Sequence, residues 1–253
     1  MNTEAMRTLA RSLPGRIGLY VRCPDTGESA AFQPDLPVNA ASVIKLCVMA
    51  EAFRQKEAGE IDFAEEISIR EEDKKPSCGA LTYLHTGLKV QWGDLVTLMI
   101  ILSDNTATNL LIDRLGIEKI NRTIGALGLT GTRLQRKLWQ PELSRQGIQN
   151  YVTAGDMGRL MELLLRGEAV SPAASREMLA ILRNQRLNGK MPFYLHSRGI
   201  VCAHKTGEDD GITHDVGVIF AQRPVICCFV SERTDVPQAE RALQEIARLC
   251  AEP

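Results

Sequence analysis

The sequence predicts an α+β protein in which a mostly antiparallel sheet, built from both ends of the chain, stands beside an all-helical middle. Three observations predict it. Near the start, Ile17, Leu19 and Val21 alternate with Gly18 and Tyr20, and Pro24-Asp25-Thr26-Gly27 turns the chain into Ser29 to Phe32, a β-hairpin pattern. Near the end, the β-rich runs Val216 to Phe220 and Val225 to Val230 flank the turn Ala221-Gln222-Arg223-Pro224. Between the two ends the apolar residues recur with helical period.

Taken in order, Met1 to Arg7 carries an acid and no apolar stretch of a secretion signal, and it reads as an amphipathic helix. The first hairpin follows. Leu46, Met49, Ala50 and Phe53 make one helical stripe, Leu95 to Leu102 is a longer apolar segment, and Ala107, Leu110, Leu111 and Leu115 make another stripe. Met157, Leu160, Met161, Leu164 and Leu165 form a fourth, opened by Thr153 with Asp156 three residues on, a capping-box pattern. After the second hairpin, Ala239, Ala242, Leu243, Ile246, Ala247 and Cys250 share one face of a closing helix. The expected organisation is a single domain, residues 1–253, with a discontinuous α/β part (about 1–35 and 181–253) and an all-helical part (about 36–180). The cleft between two such parts is a natural ligand site.

Composition narrows the function classes. Hydrophobic residues are 44% and charged residues 24% of 253, ordinary for a globular chain. Thirty Lys plus Arg against 31 Asp plus Glu leave a net charge of -1, so no electrostatic footprint for nucleic acid or an anionic membrane exists. Apolar runs such as Val225 to Val230 fall far short of the ~20 residues of a membrane-spanning helix. The 7 cysteines are odd in number, lack C-x-x-C spacing and accompany only 4 histidines. Neither a metal site nor a disulfide framework is expected, and no cofactor. Reduced, buried thiols fit a cytoplasmic protein as the sequence stands, or a periplasmic or secreted one if a leader has been removed. A monomer is expected.

Three short motifs carry chemistry. Ser42-Val43-Ile44-Lys45 opens the first central helix. Three residues are nearly one turn, so Ser42 and Lys45 face the same side, and the helix N-terminus favours a developing oxyanion there. Alone, the pattern also fits a capping serine beside a surface lysine, and about one chance occurrence is expected in a chain this long. Ser103-Asp104-Asn105 joins two helical stripes, and Lys205-Thr206-Gly207 precedes the strand at 216. Each tripeptide is expected by chance only about 0.05 times. All three, in this order and on these elements, are the set of class A β-lactamases and penicillin-binding proteins.

The chain accordingly resembles the class A β-lactamase family, or a close branch of the penicillin-recognising serine hydrolases. The likeness extends to Leu98 to Leu111, Thr132-Arg133-Leu134, Trp139 to Leu143 and Ala203 to Gly207, and covers about residues 14 to 250. It implies a five-stranded antiparallel sheet with flanking helices plus an all-α subdomain. It also implies roles. Ser42 is the nucleophile that forms an acyl-enzyme, and Lys45, its pKa lowered by burial and by Lys205, is the proton acceptor. Ser103 relays a proton to the leaving nitrogen, and Asn105 holds Lys45 and the substrate amide. Lys205 and Thr206 anchor a substrate carboxylate, Gly207 lets substrate approach the edge strand, and the backbone N–H groups of Ser42 and Glu208 form the oxyanion hole.

The deacylating residue is open to two registers. Anchored on Trp139, Pro141, Glu142 and Leu143, the family's glutamate position falls on Gln140 and its asparagine on Ser144, which predicts a stalled acyl-enzyme. Anchored on Arg136-Lys137-Leu138, with Gly147 and Asn150 beyond, Glu142 becomes the acid–base residue. Glu142 also fits a solvated loop carboxylate, or one paired with Arg133 or Arg136. Asp104 is expected to tie its loop, and His204 and His214 to serve as hydrogen-bonded spacers. The expected substrates are β-lactams or acyl-D-Ala-like molecules. Three readings compete: a β-lactam hydrolase, a DD-peptidase or esterase-like relative, and a binding protein that acylates and stops.

Overall fold

The computed structural model describes residues 1–252. Helix α1 (Thr3–Arg11) leads into strands β1 (Arg16–Arg22), β2 (Ser29–Phe32) and the short β3 (Val38–Asn39). After a 3₁₀ turn at Ala41–Ile44 come α2 (Lys45–Glu57), β4 (Glu66–Ser68), β5 (Lys89–Gln91) and α3 (Trp92–Ile101). Helices α4 (Asn105–Leu115), α5 (Ile117–Ala126) and α6 (Pro141–Arg145) follow, then β6 (Tyr151–Val152), α7 (Ala154–Arg166) and α8 (Pro172–Arg183). Strands β7 (Val201–Asp209), β8 (Ile212–Phe220) and β9 (Pro224–Glu232) and helix α9 (Val236–Cys250) complete the chain.

The main sheet has five strands in the order β2-β1-β9-β8-β7, all antiparallel. Both predicted hairpins are present: Leu19 pairs with Phe32, and Phe220 with Pro224. The chain termini meet because β9 lies against β1, with Leu19 opposite Phe229. The middle is less purely helical than expected. Two small ribbons, β3–β6 and β4–β5, interrupt it, because residues such as Val38 and Val152 pair at the joints where helices change direction.

Each face of the sheet has its own core. One is capped by α1 and α9 through Met6, Leu243 and Ile246 against Cys227 and Phe229. The other runs from the α2, α3, α4 and α7 stripes onto Val216, Val218, Ile226, Cys228 and Val230. Adjacent Cys227 and Cys228 thus point to opposite cores, as period-2 alternation requires. Because the second core is continuous across both parts, the sheet and the helical middle pack as one body. Thr153 caps α7 as its sequence indicates, accepting from the Asp156 N–H at 3.0 Å. Among the described residues, no helix is long and apolar enough to cross a membrane.

Candidate active site

Ser42 lines a cavity of about 550 Å³ where the 3₁₀ turn, the loops at 76–78, 103–105 and 136–150, and the end of β7 converge. The predicted helix start is here a 3₁₀ turn that feeds α2. Its Val43 N–H donates to Ala40 O at 3.0 Å, and the Lys45 N–H donates to Ser42 O. Side chains at i and i+3 eclipse in a 3₁₀ turn, so Ser42 and Lys45 stand on one side of it. The Ser42 N–H lies ahead of the turn's Val43 bond. Ala41 is held at φ +42°, a left-handed conformation that alanine adopts at a cost.

Ser103 joins the two lysines. Lys45 is fully buried, and its Nζ lies 2.8 Å from Ser103 O, 3.0 Å from Ser103 Oγ and 2.8 Å from Asn105 Oδ1. Lys205, also fully buried, places its Nζ 3.0 Å from the same Ser103 Oγ and donates to Thr206 O at 2.7 Å. Burial first, and the Lys205 charge second, hold Lys45 well below the lysine range. Burial brings Lys205 down to about 7, against the raising effect of Cys78, Asp215 and Glu208. A neutral Lys45 keeps N–H donors for Ser103 O and Asn105 Oδ1 and has a lone pair open to a proton. The arrangement sets Ser103 Oγ between the two amines, 3.0 Å from each.

The scaffold that aims these groups is specific. Ser103 sits at φ +55°, turning the chain between α3 and α4. Asp104 ties this loop, as expected: its carboxylate accepts from the Ala107 N–H at 3.0 Å and the Leu81 N–H at 2.9 Å. Gly79 is pressed against it, since a Cβ there would meet Asp104 Oδ2 at 2.2 Å. Asn105 donates to Pro76 O at 2.8 Å, which fixes the 76–78 wall. Gly207 lets the 3₁₀ turn lie directly on β7, because a Cβ would stand 2.9 Å from His214 Cδ2 and 3.2 Å from Val43 Cγ2. Thr206, Gly207 and Glu208 line the cavity.

The two histidines are tied into the sheet. His204 Nδ1 lies 2.8 Å from Asp215 Oδ1, while His214 Nε2 bonds Asn39 O at 2.8 Å. Burial lowers the His214 pKa to about 4, so it is a neutral spacer at neutral pH.

The structure does not bring Glu142 to the cavity. Its side chain is 71% exposed on α6 and pairs with Arg145 at 3.3 Å, not with Arg133 or Arg136. Hydrogen bonds far apart in sequence set this register. Asn109 and Leu138 exchange bonds, with Leu138 N–H donating to Asn109 Oδ1 at 2.8 Å and Asn109 Nδ2 to Leu138 O at 2.9 Å. Asn150 accepts from the Gln135 and Arg136 N–H groups at 2.7 and 3.0 Å and donates to Arg136 O at 3.0 Å. Trp139 then turns at φ +58°. The loop consequently presents Leu138, Trp139, Gln140, Pro141 and Ser144 to the cavity. Gln140 is held by the Lys137 N–H, which donates to its Oε1 at 2.9 Å.

Sequence reasoning passed over two polar residues near this site. Cys78 lines the cavity, unlike the other cysteines, which are buried. Lys190, nearly buried, pairs with Glu208 at 3.0 Å. No local pattern marks either residue, because their neighbours come from distant segments.

Comparison with known proteins agrees with this geometry. The model of the β-lactamase enzyme family matches residues 2–252. A β-lactamase of Streptomyces fradiae is 26% identical over 262 residues, covering 98% of this chain and 84% of that protein. The crystal structure of a β-lactamase from Sphaerobacter thermophilus superposes with a TM-score of 0.88 at 32% identity, covering 97% of this chain and 93% of the other. The structure of PBP-A gives a TM-score of 0.88 at 27% identity, with 98% and 94% covered. With the family model spanning nearly every residue and the five-stranded sheet and helices in place, the chain belongs to the β-lactamase enzyme family.

Proposed function

We propose that this chain is a serine hydrolase that opens β-lactam rings through an acyl-enzyme on Ser42, and that its deacylation is slow. The observation that carries the reading is the buried Lys45–Ser103–Lys205 cluster, centred on Ser103 Oγ, beside a cavity-lining serine. Neutral Lys45 takes the Ser42 proton as Oγ attacks the lactam carbonyl. Negative charge develops on the carbonyl oxygen, where the N–H groups of Ser42 and Glu208 receive it. The C–N bond breaks, Ser103 passes its proton to the departing nitrogen, and Lys45, carrying the Ser42 proton, reprotonates Ser103 Oγ across their 3.0 Å contact. Charged Lys205, with Thr206, holds the substrate carboxylate, and Asn105 holds Lys45 and the substrate amide.

Slow deacylation follows from the loop. Among the described residues, none of those from 136 to 150 that line the cavity carries a carboxylate. An amide such as Gln140 cannot take a proton from water at neutral pH. The same observation favours, as a second reading, acyl-D-Ala-like peptides or esters as substrates of the same acylation chemistry. Mixing the protein with a chromogenic cephalosporin while following product and intact mass tests both. The expected result is a burst with a persistent adduct on Ser42, followed by slow turnover. Rapid steady turnover without adduct would remove the slow step, and the absence of both adduct and product would remove the β-lactam assignment.

A further inference from the structure

Lys190 lies between α8 and β7 in a segment that the sequence motifs do not touch. It is 5% exposed, and a buried ammonium requires compensating partners. Its Nζ donates to Gly207 O at 3.2 Å and to His214 O at 3.5 Å, and it pairs with Glu208 at 3.0 Å and with Glu240 of α9 at 3.7 Å. Gly207 and His214 are register partners on β7 and β8. The ammonium therefore grips the end of the hairpin that forms one wall of the cavity.

The peptide unit it grips is a particular one. The Gly207 carbonyl and the Glu208 N–H belong to the same planar amide, and no peptide among the described residues is cis. In a trans amide the C=O and N–H point in opposite directions. Gly207 O turns toward β8, where Lys190 also reaches His214 O, so the Glu208 N–H turns to the outer side of β7. β7 is the edge strand of the sheet, so no neighbouring strand competes for that N–H. A cation on the carbonyl oxygen draws electron density through the amide and strengthens its N–H as a donor. The Lys190–Glu208 ion pair pins the same residue from its side chain.

We infer that Lys190 is a positioning residue for acyl transfer: it orients and polarises the Gly207–Glu208 peptide so that the Glu208 N–H serves as a strong oxyanion donor. This inference rests on the reading of Ser42 as the acylated nucleophile. It assigns to Lys190 no contact with substrate, and its effect falls on the charge that develops in the transition state.

The test compares wild type, Lys190→Met and Lys190→Arg with benzylpenicillin. Rapid-quench mass spectrometry separates the acylation rate constant from the dissociation constant of the preceding complex, and infrared difference spectra report the acyl-ester carbonyl. Lys190→Met is expected to slow acylation about tenfold, a fraction of the roughly 10²–10³ lost when a whole oxyanion donor is removed. The dissociation constant should stay within about twofold, because ground-state binding makes little use of this donor. The ester carbonyl band should move to higher wavenumber as the hydrogen bond to it weakens, and Lys190→Arg should recover most of both effects. If Lys190→Met does not fold, Lys190→Gln, which keeps an uncharged donor, is read in the same way. A wild-type adduct with unchanged rate and carbonyl band in the variant overturns the role of Lys190 alone. No wild-type adduct overturns the Ser42 reading and this inference with it.

Discussion

Two lysines within hydrogen-bond reach of one serine hydroxyl cannot both stay charged at low cost, and the different burdens on Lys45 and Lys205 divide their work. Lys45 is held well below the lysine range by burial and by its neighbour's charge, so it is the amine available to accept a proton. Lys205, at about 7, keeps its proton below that pH and loses it above. In the mechanism proposed above, the substrate carboxylate needs the charged form. Hence kcat/KM for acylation by an anionic β-lactam should fall as pH rises through about 7, while a carboxylate-free ester should lack that limb; a pH–rate profile with both substrates checks this. The loop residues make a second prediction. Glu142→Gln should leave acylation and turnover within about twofold of wild type, since the carboxylate is solvated and paired with Arg145. Gln140→Glu should instead speed deacylation by about tenfold or more, because it places a proton acceptor on the cavity wall. Single-turnover mass spectrometry with each variant measures it.

At the scale of elements, the site depends on how tightly they are pressed together. α7 crosses β1 at Gly158, where a Cβ would lie 2.2 Å from Tyr20 Cδ1. Gly158→Ala should therefore cost about 1–3 kcal/mol through overpacking, despite alanine's better helix propensity. That lowers Tm by roughly 2–4 °C per kcal/mol in a chain of this size, and a thermal melt would detect it. What was legible in the sequence follows the same division. The grouping of Ser42, Lys45, Ser103 and Lys205 was readable because each lies in a motif whose spacing is set by one turn or one strand. The hairpins and the α2, α3, α4, α7 and α9 stripes were readable from periodicity. That Glu142 stands outside the cavity lining was not, because the loop's register is fixed by Asn109, 29 residues from Leu138, and by a left-handed turn at Trp139 that no local pattern announces. Lys190 was hidden for a similar reason: its nearest partners, Gly207 and Glu208, come from the strand that follows.

At the scale of the whole molecule, one continuous core links α2, α4 and α7 to Val216, Val218 and Cys228, across the two parts of the chain. Trp92 and Trp139 both belong to the helical part, so their fluorescence reports on it, while far-UV circular dichroism reports on the entire chain. The two signals should give coincident denaturation curves, and separate midpoints would mean that the parts unfold independently. This joint packing is what holds the turn that carries Ser42, on the helical side, against β7, the strand that carries Lys205. The most direct test of the central claim is intact-mass analysis of the protein after brief exposure to benzylpenicillin, followed by peptide mapping and a chase without drug. A stoichiometric adduct on the peptide bearing Ser42, absent in Ser42→Ala and decaying more slowly than it forms, is the predicted result. An unmodified protein, or an adduct that persists in Ser42→Ala, would contradict it.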